Sequence, residues 1–150
     1  MKIHIVDYGM GNIFSVQKKL LQENITVTIS SEPQDILQAD KIILLGVGNF
    51  KRAMDNLQVL NLIEPLNNFA LIQKKPVLGI CLGMQLMASF SEEGNSTGLG
   101  WVDASVKKFK TSDSQKFKIP HMGWNTINVT KKSALMNNIA PNEEFYFVHS

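Results

Sequence analysis

Residues 76–87 read Pro-Val-Leu-Gly-Ile-Cys-Leu-Gly-Met-Gln-Leu-Met. An apolar run, residues 76–80, leads into this stretch, and a segment with helical spacing, residues 82–90, leads out of it. Between them Cys81, the one cysteine of the chain, stands in a Gly-x-Cys-x-Gly pattern. A buried strand that turns at glycines directly into a helix is the repeating unit of parallel α/β sheets. At that junction a G-x-nucleophile-x-G turn is also the nucleophile elbow, whose small neighbours let a strained turn hold the nucleophile outward. The first amides of the following helix carry partial positive charge, which favours a thiolate. The Leu82 amide is placed to donate to an oxyanion on the attacked carbon. Gln85 falls on the same helix face one turn on and reaches a polar substrate. The plainer alternative is an inert cysteine packed as a small hydrophobe; the elbow pattern favours the nucleophile.

The same alternation extends upstream. Residues 3–6 form a short strand, Asp7-Tyr8-Gly9-Met10-Gly11 the turn after it, and Asn12 an N-cap for a helix with Ile13, Val16, Leu20 and Leu21 on its apolar face. Residues 25–29 alternate as a second strand. Residues 41–45, Lys-Ile-Ile-Leu-Leu, are apolar without alternation, as in a central parallel strand covered on both faces. They end in Gly46-Val47-Gly48. Phe50, Met54 and Leu57 mark the next helix face, and Leu66, Phe69 and Ile72 another within residues 65–75. The texture changes after Gly94. Turn residues (Glu93-Gly94-Asn95 and Ser112-Asp113-Ser114) separate residues 101–106 and 126–129, which are expected as antiparallel hairpins laid against the sheet. Residues 145–148 form one more strand. The expected fold is therefore α/β: an open, mostly parallel sheet flanked by helices, flavodoxin-like, with antiparallel hairpins added in the second half. Residues 1–150 are expected to be a single domain, and a stop so soon after a strong strand leads us to expect further chain.

Composition excludes several classes. With 44% hydrophobic and 19% charged residues over 150 positions, the chain is globular rather than disordered. Fifteen basic against thirteen acidic side chains give +2 with no basic block, which suggests neither nucleic acid nor an anionic membrane as partner. One cysteine excludes an intrachain disulfide framework, and no Cys/His cluster has metal spacing. The N-terminus enters a strand pattern without a signal-peptide core, and no apolar run approaches a membrane span, so the expected location is the cytoplasm.

Other candidates are weaker than Cys81. Gly9-Met10-Gly11 follows a strand and opens a helix, but the third glycine of a dinucleotide fingerprint falls at Phe14, so a tight turn is the better reading. Gly46-Val47-Gly48 ends a strand next to the elbow, at the edge where open α/β sheets gather ligands, and suits a second oxyanion donor. His4 lies inside the first strand and is structural. His121 and His149 are each conceivable as a general base, yet neither stands in a His-x-Glu arrangement that would orient it.

Taken together, these stretches resemble a known family. GICLGMQLM at 79–87 is similar to the nucleophile segment of class I (triad-type) glutamine amidotransferases. IVDYGMGN at 5–12, GVGNF at 46–50, IPHMGWN at 119–125 and YFVHS at 146–150 narrow the resemblance to the glutaminase subunits of imidazole glycerol phosphate synthases, along the whole chain. The resemblance implies hydrolysis of glutamine to glutamate and ammonia. A separate (β/α)8-barrel cyclase would use the ammonia to make imidazole glycerol phosphate and AICAR in histidine biosynthesis. It makes Cys81 the nucleophile that forms a glutamyl thioester, and Val47 and Leu82 the oxyanion hole. Gly48, Gln85, His149 and Ser150 line the glutamine pocket, and Asn12 and Trp124 face the cyclase. No cofactor or metal is implied. Two departures stand out: Leu45 occupies the place of a usual proline, and the His-Pro-Glu segment that carries the triad base lies, in the family, beyond YFVHS. The resemblance also accommodates a paralogue serving a sugar amidotransferase in surface-polysaccharide synthesis, or a non-catalytic partner-binding scaffold.

Overall fold

The computed structural model describes residues 1–113 and 117–150; Ser114, expected in a turn, lies outside the described residues. Two compact units divide the chain, Met1–Lys107 and Lys108–Ser150.

In the first unit, β1 (Ile3–Val6), β2 (Val27–Ser30), β3 (Lys41–Gly46) and β4 (Val77–Cys81) form a parallel four-stranded sheet in the order β2-β1-β3-β4. The lack of alternation in β3 now has its cause. Successive side chains of a strand point to opposite faces, and both faces of β3 are covered. Ile42 and Leu44 join a cluster with Val6, Phe50, Leu57 and Phe69, whereas Ile43 and Leu45 join Ile5, Ile13 and Val27. Fully burying each such side chain contributes about 1.5–3 kcal/mol, so this strand anchors the unit.

Helix α1 (Ile13–Gln22) follows β1, α2 (Pro33–Gln38) follows β2, α3 (Phe50–Val59) and α4 (Ile63–Asn67) both follow β3, and α5 (Leu82–Gln85) follows β4. Asn12 caps α1 as expected, its side-chain oxygen accepting from the Ser15 amide at 3.3 Å. Ile13, Val16 and Leu20 pack on the sheet, but Leu21 is exposed. α4 continues as a π turn over Asn68–Ile72. The wider turn shifts the apolar stripe, so Phe69 is buried while Ile72, expected beside it, faces solvent.

Three further expectations are corrected. The apolar run of residues 76–80 is not a fully buried strand: β4 lies at the sheet edge, with Leu78 and Ile80 partly exposed. The helix after Cys81 does not continue to residue 90. It stops at Gln85, and β5 (Ala88–Ser91) pairs antiparallel with β6 (Ser96–Thr97) and parallel with β7 (Val102–Val106). The Leu86 carbonyl accepts from the Leu99 amide at 2.7 Å and the Ser89 carbonyl from the Gly98 amide at 3.0 Å, so strand partners outcompete the helix. β7 is thus a parallel neighbour of β5 rather than half of an antiparallel hairpin.

The second unit holds the hairpin that was expected, though at a different place. β8 (His121–Thr126), not residues 126–129, pairs antiparallel with β9 (Glu144–His149), from His121 opposite His149 to Thr126 opposite Glu144. Among the described residues no helix is long and apolar enough to cross a membrane.

His4 is buried in β1, with Nδ1 3.0 Å from the Thr28 hydroxyl and Nε2 unpartnered. Burial holds its imidazole below the usual range, against the opposing pull of the Asp35 carboxylate. The unfolded chain therefore takes up a proton near pH 6.5 that the fold resists. Stability from this site is complete above that pH and is lost as pH falls through and below it. We expect the urea midpoint to drop between pH 7 and 5, and the drop to be shallower in His4→Val; an equally steep drop would clear His4 of the role.

Candidate active site

Register places Gly46, the end of β3, directly beside Cys81, the end of β4. The Gly46-Val47-Gly48 loop and the elbow therefore open at one sheet edge, as the sequence suggested. Cys81 adopts φ 53° and ψ −119°, a region that costs a residue with a side chain about 1–3 kcal/mol and that functional sites tolerate. Its side chain is exposed. The flanking glycines explain how the turn fits. A Cβ on Gly79 would stand 2.6 Å from Met84 Cα and 2.9 Å from its amide nitrogen, and a Cβ on Gly83 would collide with the Leu44 carbonyl. The single turn of α5 is thus laid straight back over β3 and β4. Leu82 is buried and Gln85 half-buried on that turn.

Residues 46–48 form the opposing wall. Val47 is exposed, and Gly48 has φ +107°, open to glycine but strained for other residues. The exit from the loop is fixed twice: the Asn49 side chain accepts from the Arg52 amide at 3.0 Å, and the Phe50 amide donates to the Glu93 carboxylate at 2.8 Å. The turn after β1 lies alongside. A Cβ on Gly11 would come 2.7 Å from Leu45 Cδ1 and 3.2 Å from Gly46 Cα, and one on Gly48 would come 3.1 Å from Met10 Cε. Asn12 is exposed here with its side chain engaged as the α1 cap.

Sequence reasoning missed Tyr8. It is wholly buried, its carbonyl accepting from Asn56 Nδ2 at 2.9 Å, while its hydroxyl has no partner. A side chain on Gly46 would collide with that hydroxyl, so the tyrosine explains why the loop begins with glycine. Burial pushes the phenol well above its ordinary range, and the neighbouring Cys81 adds to the effect. The available signal was the pairing of a polar-tipped aromatic at one strand end with a glycine at the next.

The remaining candidates belong to the second unit. His121 Nδ1 lies 2.8 Å from His149 Nε2, and Asn125 Nδ2 donates to His121 Nε2 at 2.9 Å. His121 therefore carries its proton on Nδ1 and donates to His149. Phe109 meets the His149 ring edge-on at 4.9 Å. Trp124 is exposed and T-stacked on Tyr146 at 5.5 Å, and Ser150 is exposed. A cleft of about 930 Å³ opens in this unit, lined by residues that include Phe109, Phe117, Ile119, Pro120 and His121, and it contains none of the elbow residues.

The chain matches the family model for glutamine amidotransferase class-I over residues 4–150. It is 47% identical over 148 residues to imidazole glycerol phosphate synthase subunit HisH 2 of Methanococcus maripaludis, covering 99% of this chain and 72% of that protein. Identity to imidazole glycerol phosphate synthase subunit HisH of Pelagibacter ubique is 41% over 155 residues, covering 100% of this chain and 74% of the relative. A solved glutamine amidotransferase shares the fold with a TM-score of 0.65 at 11% identity, over 82% of this chain and 62% of that one.

Proposed function

Because the chain belongs to the class-I glutamine amidotransferase family, we propose that it hydrolyses glutamine for a cyclase partner, as the glutaminase subunit of an imidazole glycerol phosphate synthase. The observation that carries the mechanism is the backbone of Cys81, held at φ 53° beside the Gly46–Gly48 loop. In this reading the Cys81 thiolate attacks the carboxamide carbon of glutamine. The amides of Val47 and Leu82 receive the charge that develops on oxygen, and Gly48 and Gln85 hold the substrate. The proton that left the thiol goes to the departing nitrogen, so collapse of that intermediate expels ammonia and leaves a glutamyl thioester for water to clear. His149 and Ser150 complete the glutamine pocket. Asn12 and Trp124 meet the (β/α)8-barrel cyclase in a cytoplasmic heterodimer, and the ammonia passes to it.

Clearing the thioester needs a base. The two nitrogens of His121 are engaged by His149 and Asn125, and no His-Pro-Glu sequence occurs within residues 1–150. General-base help contributes typically about 10²–10⁴-fold. Residues 1–150, even with a cyclase added, should therefore release glutamate at least a hundredfold more slowly than a chain carrying a His-Pro-Glu segment after YFVHS. Equal rates would make His121 or His149 the base and overturn this placement of the triad.

Exposed aromatic anchors at interfaces typically cost about 2 kcal/mol or more when truncated. Trp124→Ala should accordingly weaken cyclase binding by about thirtyfold in a titration; unchanged affinity would remove Trp124 from the interface. Leu45 in place of the usual proline keeps a second reading open, a paralogue that feeds a sugar amidotransferase. Stimulation of glutamate release by a sugar amidotransferase and not by a cyclase would favour it.

A further inference from the structure

Among the described residues, the one buried hydroxyl without a hydrogen-bond partner stands under the elbow. Tyr8 is fully enclosed by apolar side chains of the cluster that contains Val6, Leu44, Phe50 and Leu82, and its hydroxyl has no partner in the fold. An unpartnered polar atom in such surroundings is destabilising, and phenylalanine would fill the same space without that cost. The position of the oxygen is informative. It occupies the space that a Gly46 side chain would need, and the Leu82 Cβ lies 3.4 Å from that same point. Gly46 is the register partner of Cys81, and Leu82 follows it in the chain. The hydroxyl thus lies against Gly46, at the end of the strand next to the one that carries the nucleophile.

We propose that Tyr8 is a positioning residue for Cys81: its hydroxyl donates to the sulfur when the thiol is ionised, and holds the nucleophile's charge at the base of the turn. No bond is broken in this step; the phenol keeps its proton, and the thiolate accepts a hydrogen bond that the neutral thiol accepts only weakly. Two properties suit it to the task. Burial holds the phenol in its protonated, donating form far above neutral pH, and Cys81 is the titratable group that acts on it. The carboxylate adjacent to it in sequence, Asp7, accepts from the Gly9 amide at 3.0 Å, and that of Glu93 accepts from the Phe50 amide at 2.8 Å.

The assignment rests on Cys81 being the nucleophile, and the test separates the two. The rate of Cys81 alkylation by iodoacetamide is followed against pH in the unsubstituted chain and in Tyr8→Phe, together with labelling by an electrophilic glutamine analogue and the thermal midpoint. A hydrogen bond to a charged group is lost in the variant, so its alkylation profile should move upward by roughly one pH unit, while the thermal midpoint is unchanged or higher. A purely structural tyrosine would leave the profile in place. An unmoved profile, with Cys81 still labelled by the analogue, overturns the Tyr8 assignment alone; failure of the analogue to label Cys81 in the unsubstituted chain removes the nucleophile and Tyr8's role together. Should Tyr8→Phe melt early, the profile is read in a chain with 3-fluorotyrosine at both tyrosines, Tyr8 and Tyr146. Its more acidic phenol is a stronger donor, so the profile should then move downward, and no downward shift overturns the proposal.

Discussion

Cys81→Ala, in a chain that carries a His-Pro-Glu segment and is paired with its cyclase, is expected to reduce glutamate release to background. The nucleophile is the one part of the proposed machinery that no neighbour replaces. His121 and His149 bond to each other, and the chain has no second cysteine. Losing a covalent nucleophile typically costs about 10⁴-fold or more in turnover, whereas losing one oxyanion donor costs about 10²–10³-fold. Steady-state release is read against Cys81→Ser, which restores a hydroxyl of lower nucleophilicity at the same strained turn. Retention of more than a hundredth of the activity in Cys81→Ala would mean that water is activated elsewhere, with no thioester.

Gly83→Ala is the second large effect, and its sign is diagnostic. In a helix interior alanine is favoured over glycine by about 1 kcal/mol, so propensity alone predicts a more stable chain. The structure predicts the reverse, because the added methyl would collide with the Leu44 carbonyl, and backbone cannot swing aside as a side-chain tip can. Overpacking of this kind costs typically 1–3 kcal/mol and sometimes more. Packing should win, lowering the urea midpoint and disturbing the elbow with it. Met84→Ala, on the exposed side of the same turn, serves as the comparison and should change stability by no more than about 0.5 kcal/mol. If Gly83→Ala is as stable as the parent chain, α5 does not lie back over β3 as described.

What the sequence made legible divides along physical lines. The parallel sheet was readable because β3 is covered on both faces, and that covering is written locally as an unbroken apolar run. The elbow was readable because its pattern, one cysteine between two glycines, is local; Gly79 answers to Met84 close by in the chain, although Gly83 answers to Leu44 of the neighbouring strand. The end of α5 was not, because the bonds that end it come from Gly98 and Leu99, a dozen residues on. The π turn hid the exposure of Ile72 for a related reason: one extra residue in a turn leaves no mark on the spacing. β8 contains Gly123 and follows Pro120, so it reads as a loop until its partner β9 is in place. Tyr8 escaped notice because a buried hydroxyl without a partner is visible only once the surrounding strands are assembled.

The most direct measurement is a mass map of residues 1–150 after incubation with an electrophilic glutamine analogue such as 6-diazo-5-oxo-norleucine. It needs no base, no partner and no turnover, only a nucleophile at the elbow and a pocket that accepts the glutamine side chain. One adduct per chain, on Cys81 and absent from Cys81→Ala, is the expected result. No adduct, or an adduct on another residue, would contradict the assignment of Cys81 as the glutaminase nucleophile.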